Sequence, residues 1–217
     1  MRAALIAMRE PTRIFALRHG QTAWNAQARI QGQLDLPLND TGRWQAARAA
    51  QALAGEALAA IYSSDLQRAL ATAQALVAST GAPIVTDVRL RERAFGRFEG
   101  RTYAEVQRDW PDEAQRWQRR EPGFGPGGGE ALEPFYQRCV DAVCERAAGH
   151  AGQTIAIVAH GGVLDCLYRA ATAQGLSAPR SWQLGNATIN RLLFNGEHLS
   201  LVGWNDSAHL DEGGPPR

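Results

Sequence analysis

Cysteine is scarce here: Cys139, Cys144 and Cys166 are the only three, and no two of them form a CxxC pair. An odd, unpaired set argues against a disulfide framework and against a structural zinc site, and it fits a reducing compartment. None is followed by an arginine at phosphate-loop spacing, which removes cysteine-based phosphoryl chemistry. Long apolar runs are missing too. The first, Ala3 to Met8, is too short for a signal core or a membrane span, so a cytoplasmic location is expected. Charge of one sign is also lacking, with 23 basic against 22 acidic side chains. A net charge of +1 gives neither a nucleic-acid footprint nor a polybasic membrane patch. The five histidines do not cluster at ligand spacing, so no metal is expected. There is no GxSxG elbow, and the glycines between Gly123 and Gly129 follow no strand and lack a GK[ST] ending. No internal repeat is found.

What is present is a recurring strand, turn and helix pattern. Ile14-Phe15-Ala16-Leu17 reads as a buried strand that delivers Arg18-His19-Gly20-Gln21-Thr22 into a tight turn. Residues 23–38 read as a structured loop. Asn39 to Gly42 supplies helix-starting side chains for a helix over 43–53. The next strand, Ala59 to Tyr62, leads through Ser63-Ser64-Asp65, read as a cap, into a helix over 66–79. A third strand is expected over 83–88, helices over 102–110 and 112–120, and a loop at the glycines. A helix then covers 133–148. Thr154 to Ala159 is the clearest buried strand, and it ends at His160-Gly161-Gly162 as the first strand ends at His19-Gly20. A helix over 163–172 and a hairpin turning at Asn195-Gly196 complete the chain. At 217 residues this predicts one α/β domain, a three-layer sandwich with a mostly parallel central sheet flanked by helices. Residues 1–11 and 211–217 are expected to be flexible ends, and Met1 or Met8 serves as the start.

Ligands of open α/β sheets bind at the carboxyl ends of the strands. His19 and His160 fall at two such ends, Arg18 is adjacent, Arg68 lies in a helix's first turn and Glu92 follows the third strand. This set suits a phosphoryl group. A neutral imidazole at His19 attacks phosphorus, while Arg18, Arg68 and His160 compensate charge on the oxygens. Glu92 donates a proton to the leaving oxygen. An ion pair between Glu92 and Arg91 or Arg93, a merely capping Asn25, and surface positions for His150, His198 and His209 are the plainer structural readings.

Four motifs together carry a resemblance. Arg18-His19-Gly20, Ser64-Asp65-Leu66-Gln67-Arg68-Ala69, Leu90 to Gly96 with Glu99-Gly100, and Ala159-His160-Gly161-Gly162 resemble, in family order, the phosphoglycerate mutase-like branch (branch 1) of the histidine phosphatase superfamily. The resemblance implies a phosphohistidine on His19, no cofactor and no metal. It implies a phosphate pocket of Arg18, Asn25, Arg68, His160 and Gly161, and Glu92 as the proton donor. Gln31 and Gly32 match positions that contact substrate in mutase relatives. The chain between Glu92 and His160 is short for a cofactor-dependent phosphoglycerate mutase, so a phosphatase of small phosphorylated metabolites is expected, with the mutase as the alternative. Gly127-Gly128-Gly129-Glu130-Ala131 is similar to a loop of phosphatase members, with Ala131 where those carry serine. A non-catalytic phospholigand-binding protein, and a monomer or a homodimer, complete the expectations.

Overall fold

The computed structural model describes residues 10–211 and Gly214. The start at Met1 or Met8 lies outside the described residues, as does most of the two ends expected to be flexible. Six strands form one sheet in the order β3-β2-β4-β1-β5-β6. These are β1 (Thr12–Arg18), β2 (Leu58–Ser63), β3 (Ile84–Thr86), β4 (Thr154–Ala159), β5 (Ile189–Phe194) and β6 (Leu199–Asp206). The first four run parallel; β5 is antiparallel to β1, and β6 to β5. The helices are α1 (Ala23–Ala26), α2 (Asp40–Ala52), α3 (Gln67–Thr80), α4 (Tyr103–Asp109), α5 (Pro111–Gln118), α6 (Leu132–Ala148) and α7 (Gly161–Thr172).

Strand alternation divides the core into two layers. Ile14, Ala16, Ile155 and Ile157 face Phe135, Val143, Leu164 and Leu167 of α6 and α7. Phe15, Leu17, Ala156 and Val158 face Ala49, Ala50, Ala73 and Leu76 of α2 and α3. Because helices cover both sides, β4 is buried along its whole length, which is why its sequence is continuously apolar. A small third cluster, Phe98, Val106 and Ala114 with Trp110 and Trp117, ties α4 and α5 to the segment that follows Glu92.

Three local expectations are corrected. The Ser63-Ser64-Asp65 run does not cap α3: its cap is Leu66, without a side-chain bond. Ser64 Oγ turns to His160, Asp65 pairs with Arg91, and the first-turn amide of Gln67 donates to Asp35 of the 27–38 loop (2.7 Å). Second, the hairpin does not turn through Asn195-Gly196 alone. Residues 195–198 form the connection, with Asn195 Oδ1 accepting from the amides of Glu197 and His198. Third, the 23–38 loop contains a helical turn, α1, closed by a Thr22–Asn25 capping box.

The carboxyl ends of three adjacent strands bring distant residues together. The His19 amide donates to Ala159 O (3.0 Å), and the Ser64 amide to Val158 O (3.0 Å). The residues following β1, β2 and β4 therefore meet above the middle of the sheet.

Candidate active site

His19 is 3 % exposed. Its Nδ1 lies 2.7 Å from Gly20 O, and a carbonyl only accepts, so Nδ1 carries the hydrogen and the lone pair is on Nε2. Burial pushes its pKa well below the usual imidazole value, and the Arg18 and Arg68 charges push it further. The imidazole is therefore neutral at physiological pH. The Gly20 turn beneath it is tight, since a Cβ on Gly20 would stand 2.3 Å from Gly42 O, the point where α2 starts.

His160 is fully buried, its ring centroid 5.2 Å from that of His19. Ser64 Oγ accepts from the Leu66 amide (3.3 Å) and lies 2.9 Å from His160 Nε2. The Ser64 hydroxyl can serve Nε2 as donor or as acceptor, and either way the contact fixes the ring, leaving Nδ1 without a protein partner. Burial, then the charge of Arg68, holds this pKa too well below its ordinary value.

Two guanidiniums stand beside the imidazoles. Arg68 is 1 % exposed and donates to Leu34 O (2.7 Å) and Gly32 O (2.8 Å); burial brings its pKa down to about 10, so it stays cationic. Arg18 donates to Leu184 O (2.6 Å), and burial lowers its pKa likewise. Among the described residues neither has a carboxylate within ion-pair distance. Their Nε–H groups, together with His160 Nδ1, are buried without a protein partner. Two orphaned guanidinium donors and an unpartnered ring nitrogen are costly to leave buried and unanswered.

Glu92 is not held by its neighbours in sequence. Arg91 pairs with Asp65 (2.5 Å), and the Arg93 guanidinium donates to Phe124 O and Glu130 O. The Glu92 carboxylate instead accepts from the amides of Arg93 (2.7 Å) and Gly162 (2.9 Å). Only glycine fits at 162, where a Cβ would come within 2.2 Å of Glu92 Oε1. Arg138 and Gln33 donate to Glu92 O and fix the backbone at this point.

A cavity of about 660 Å³ opens beside these residues, lined at this end by Arg18, Glu92, Gly161 and Gly162. Gly161 is the first residue of α7, whose amino-terminal amides favour an anion. Asn25 serves the capping box: its Oδ1 accepts from the Thr22 amide and from Asn186 Nδ2, which also donates to His19 O. Among the described residues its own NH₂ group has no hydrogen-bond partner. Gln31 accepts from Thr22 Oγ1, and Gly32 offers its carbonyl to Arg68, so both shape the pocket wall and neither lines the cavity. His198 is exposed; His150 instead bonds Tyr62 (2.8 Å), and His209 bonds Ala187 O (3.0 Å). No group of His, Cys, Asp or Glu among the described residues is arranged to hold a metal ion, and none of their helices is long and apolar enough to cross a membrane.

Sequence reasoning did not single out Asp165, Arg120 and Arg180, which also line the cavity, and saw Trp182 only as a core or wall residue. Asp165, one helical turn beyond Gly161, carried a usable signal. Arg120 and Arg180 carried none, because loops bring them in.

The family model of the histidine phosphatase superfamily (branch 1) matches residues 14–207. The chain is 40 % identical over 205 residues to phosphoglycerate mutase-like protein 4 of Arabidopsis thaliana, covering 93 % of this chain and 88 % of that protein. It is 35 % identical over 208 residues to a metal-independent phosphoserine phosphatase of the same plant, covering 94 % and 86 %. Among solved structures, a mycobacterial glucosyl-3-phosphoglycerate phosphatase in complex with VO3 superposes with a TM-score of 0.81 at 35 % identity, covering 90 % of this chain and 99 % of that one.

Proposed function

The chain belongs to the histidine phosphatase superfamily, branch 1, and from that premise we propose that it is a metal-independent phosphatase, hydrolysing small phosphorylated metabolites through a phosphohistidine on His19. One observation carries this reading. The buried Nε–H groups of Arg18 and Arg68, and Nδ1 of His160, lack protein partners beside a neutral imidazole whose lone pair is on Nε2. A phosphate monoester supplies the missing acceptors, and two guanidinium charges compensate its oxygens as the charge shifts in the transition state.

In the first half-reaction the Nε2–P bond forms and the P–O ester bond breaks. Protonated Glu92 gives its hydrogen to the departing oxygen. In the second, water attacks phosphorus, its proton passes to the Glu92 carboxylate, and the Nε2–P bond breaks to release inorganic phosphate. Arg18, Asn25, Arg68, His160 and Gly161 hold the phosphoryl group. Glu92 suits its role through its place at the cavity wall, anchored by two backbone amides.

The test is phosphate release from a panel of phosphomonoesters with EDTA present, for the parent and for His19→Ala, with phosphoglycerate interconversion followed in parallel. Release by the parent and its loss in the variant are expected. Interconversion with little release makes the protein a mutase. Phosphate binding without either reaction leaves a phospholigand-binding protein.

A further inference from the structure

The cavity is far larger than a phosphoryl group, and its lining residues carry two more unanswered polar atoms. Asp165 and Trp182 both line it, and Asp165 Oδ1 and Trp182 Nε1 are buried without protein partners. Asp165 sits four residues beyond Gly161, on the same face of α7. Its other oxygen is fully used, accepting from Arg120 (2.6 Å) and Arg169 (3.1 Å). Trp182 is clamped, its ring stacked on Tyr168 at 3.9 Å with the Arg169 guanidinium 4.8 Å from its centroid. The indole N–H therefore has a fixed direction and no acceptor.

The surrounding charge selects among possible occupants. Arg93, Arg120 and Arg180 line this cavity against only two carboxylates, Glu92 and Asp165. Asp165 is already matched by two guanidiniums, so its free oxygen acts as an acceptor of little net charge. A hydroxyl suits such an acceptor. An ammonium group there would face Arg120, Arg169 and Arg180.

We propose that Asp165 and Trp182 form a leaving-group subsite that selects phosphomonoesters bearing hydroxyl groups and disfavours those bearing an ammonium group. Asp165 Oδ1 accepts from one hydroxyl of the leaving group, and Trp182 Nε1 donates to the oxygen of the same or the adjacent hydroxyl. This selectivity rests on the phosphatase reading of the neighbouring site.

The test compares kcat/KM for glycerol phosphate, propyl phosphate and 3-aminopropyl phosphate, three small esters that differ in what the subsite would contact. The parent should prefer glycerol phosphate to propyl phosphate by about tenfold, and propyl phosphate to the ammonium ester by a similar factor, as one hydrogen bond or one unscreened charge contributes. Trp182→Phe retains an aromatic ring against Tyr168 and removes the N–H together with the rest of the second ring, so propyl phosphate, which makes no hydrogen bond there, serves as the control for the lost packing. The substitution should lower the glycerol phosphate value about fivefold and leave propyl phosphate unchanged. Arg180→Gln, at an exposed position, should narrow the gap for the ammonium ester. Equal turnover of glycerol and propyl phosphate, an ammonium ester as good as propyl phosphate, or an equal loss on both esters in Trp182→Phe would overturn the subsite while leaving the phosphatase reading intact. Hydrolysis of none of the three by the parent would remove that reading and the subsite together.

Discussion

Around Asp87 and around His19 the protein sets arginines beside buried groups, and it treats them in opposite ways. The buried Asp87 carboxylate is met by Arg89 (2.8 Å) and Arg146 (2.9 Å), and Arg89 reaches on to Glu145 (2.7 Å). There each charge finds its counterpart inside the protein. Burial alone would raise the Asp87 carboxyl, but Arg89, its backbone amide and Arg146 overcome this and hold the pKa at about 2. Around His19, Arg18 and Arg68 find only carbonyl oxygens, and an Nε–H of each is left over. The first arrangement is complete in the folded chain. The second leaves donors unpaired in the folded chain, as the proposed phosphate binding requires, so the one is expected to contribute stability and the other binding.

The largest effect should come from removing the proposed nucleophile. His19→Ala is expected to lower phosphate release about a thousandfold or more, with the thermal midpoint little changed. Next, Arg68→Gln should lower kcat/KM about a hundredfold without loss of stability, because a buried cation with no carboxylate partner adds little to folding. Scanning calorimetry with inorganic phosphate sharpens the point. At about 100 times its dissociation constant phosphate should stabilise the parent by about 2.7 kcal/mol and the variant by much less. A stability loss in Arg68→Gln as large as that from cutting the Asp87 cluster would break the comparison.

The Asp87 side should respond in the reverse sense. Asp87→Asn is predicted to cost about 2 kcal/mol at neutral pH, seen as a lower urea midpoint with kcat/KM unchanged. The sign follows from a carboxyl lowered from 3.8 to about 2. Its contribution is present above pH 4 and is lost as the pH falls toward 2, so the parent's stability should fall over that window more steeply than the variant's. The smallest effect concerns His19 itself. Its pKa lies well below the ordinary 6.5, so the nucleophile keeps its lone pair as the pH drops through that value. The kcat/KM profile should therefore show no fall centred at pH 6.5, and a limb there would mean an imidazole less buried than described.

How much of this was legible in the sequence differs by element. The β1 and β4 ends were readable because a buried run followed by charge and glycine can be little other than a strand entering a turn, and both histidines sit where expected. The helices expected over 133–148 and 163–172 likewise form, as α6 and α7. The Ser63-Ser64-Asp65 run misled, since capping side chains look alike in sequence whether they meet a helix amide or, as here, His160 and Arg91. Glu92 was flanked by two arginines that suggested an ion pair. Both guanidiniums turn elsewhere, to Asp65 and to carbonyls more than 30 residues away in sequence.

By itself the sequence determined the layer order of the core and the residue types at the strand ends, because strand and helix periods are local and glycine and charge mark where they stop. Only the tertiary structure decided which polar atoms remain unpaired. An orphaned donor or acceptor is defined by every partner within reach, and the groups around Arg18, Arg68, His160, Asp165 and Trp182 come from segments far apart along the chain.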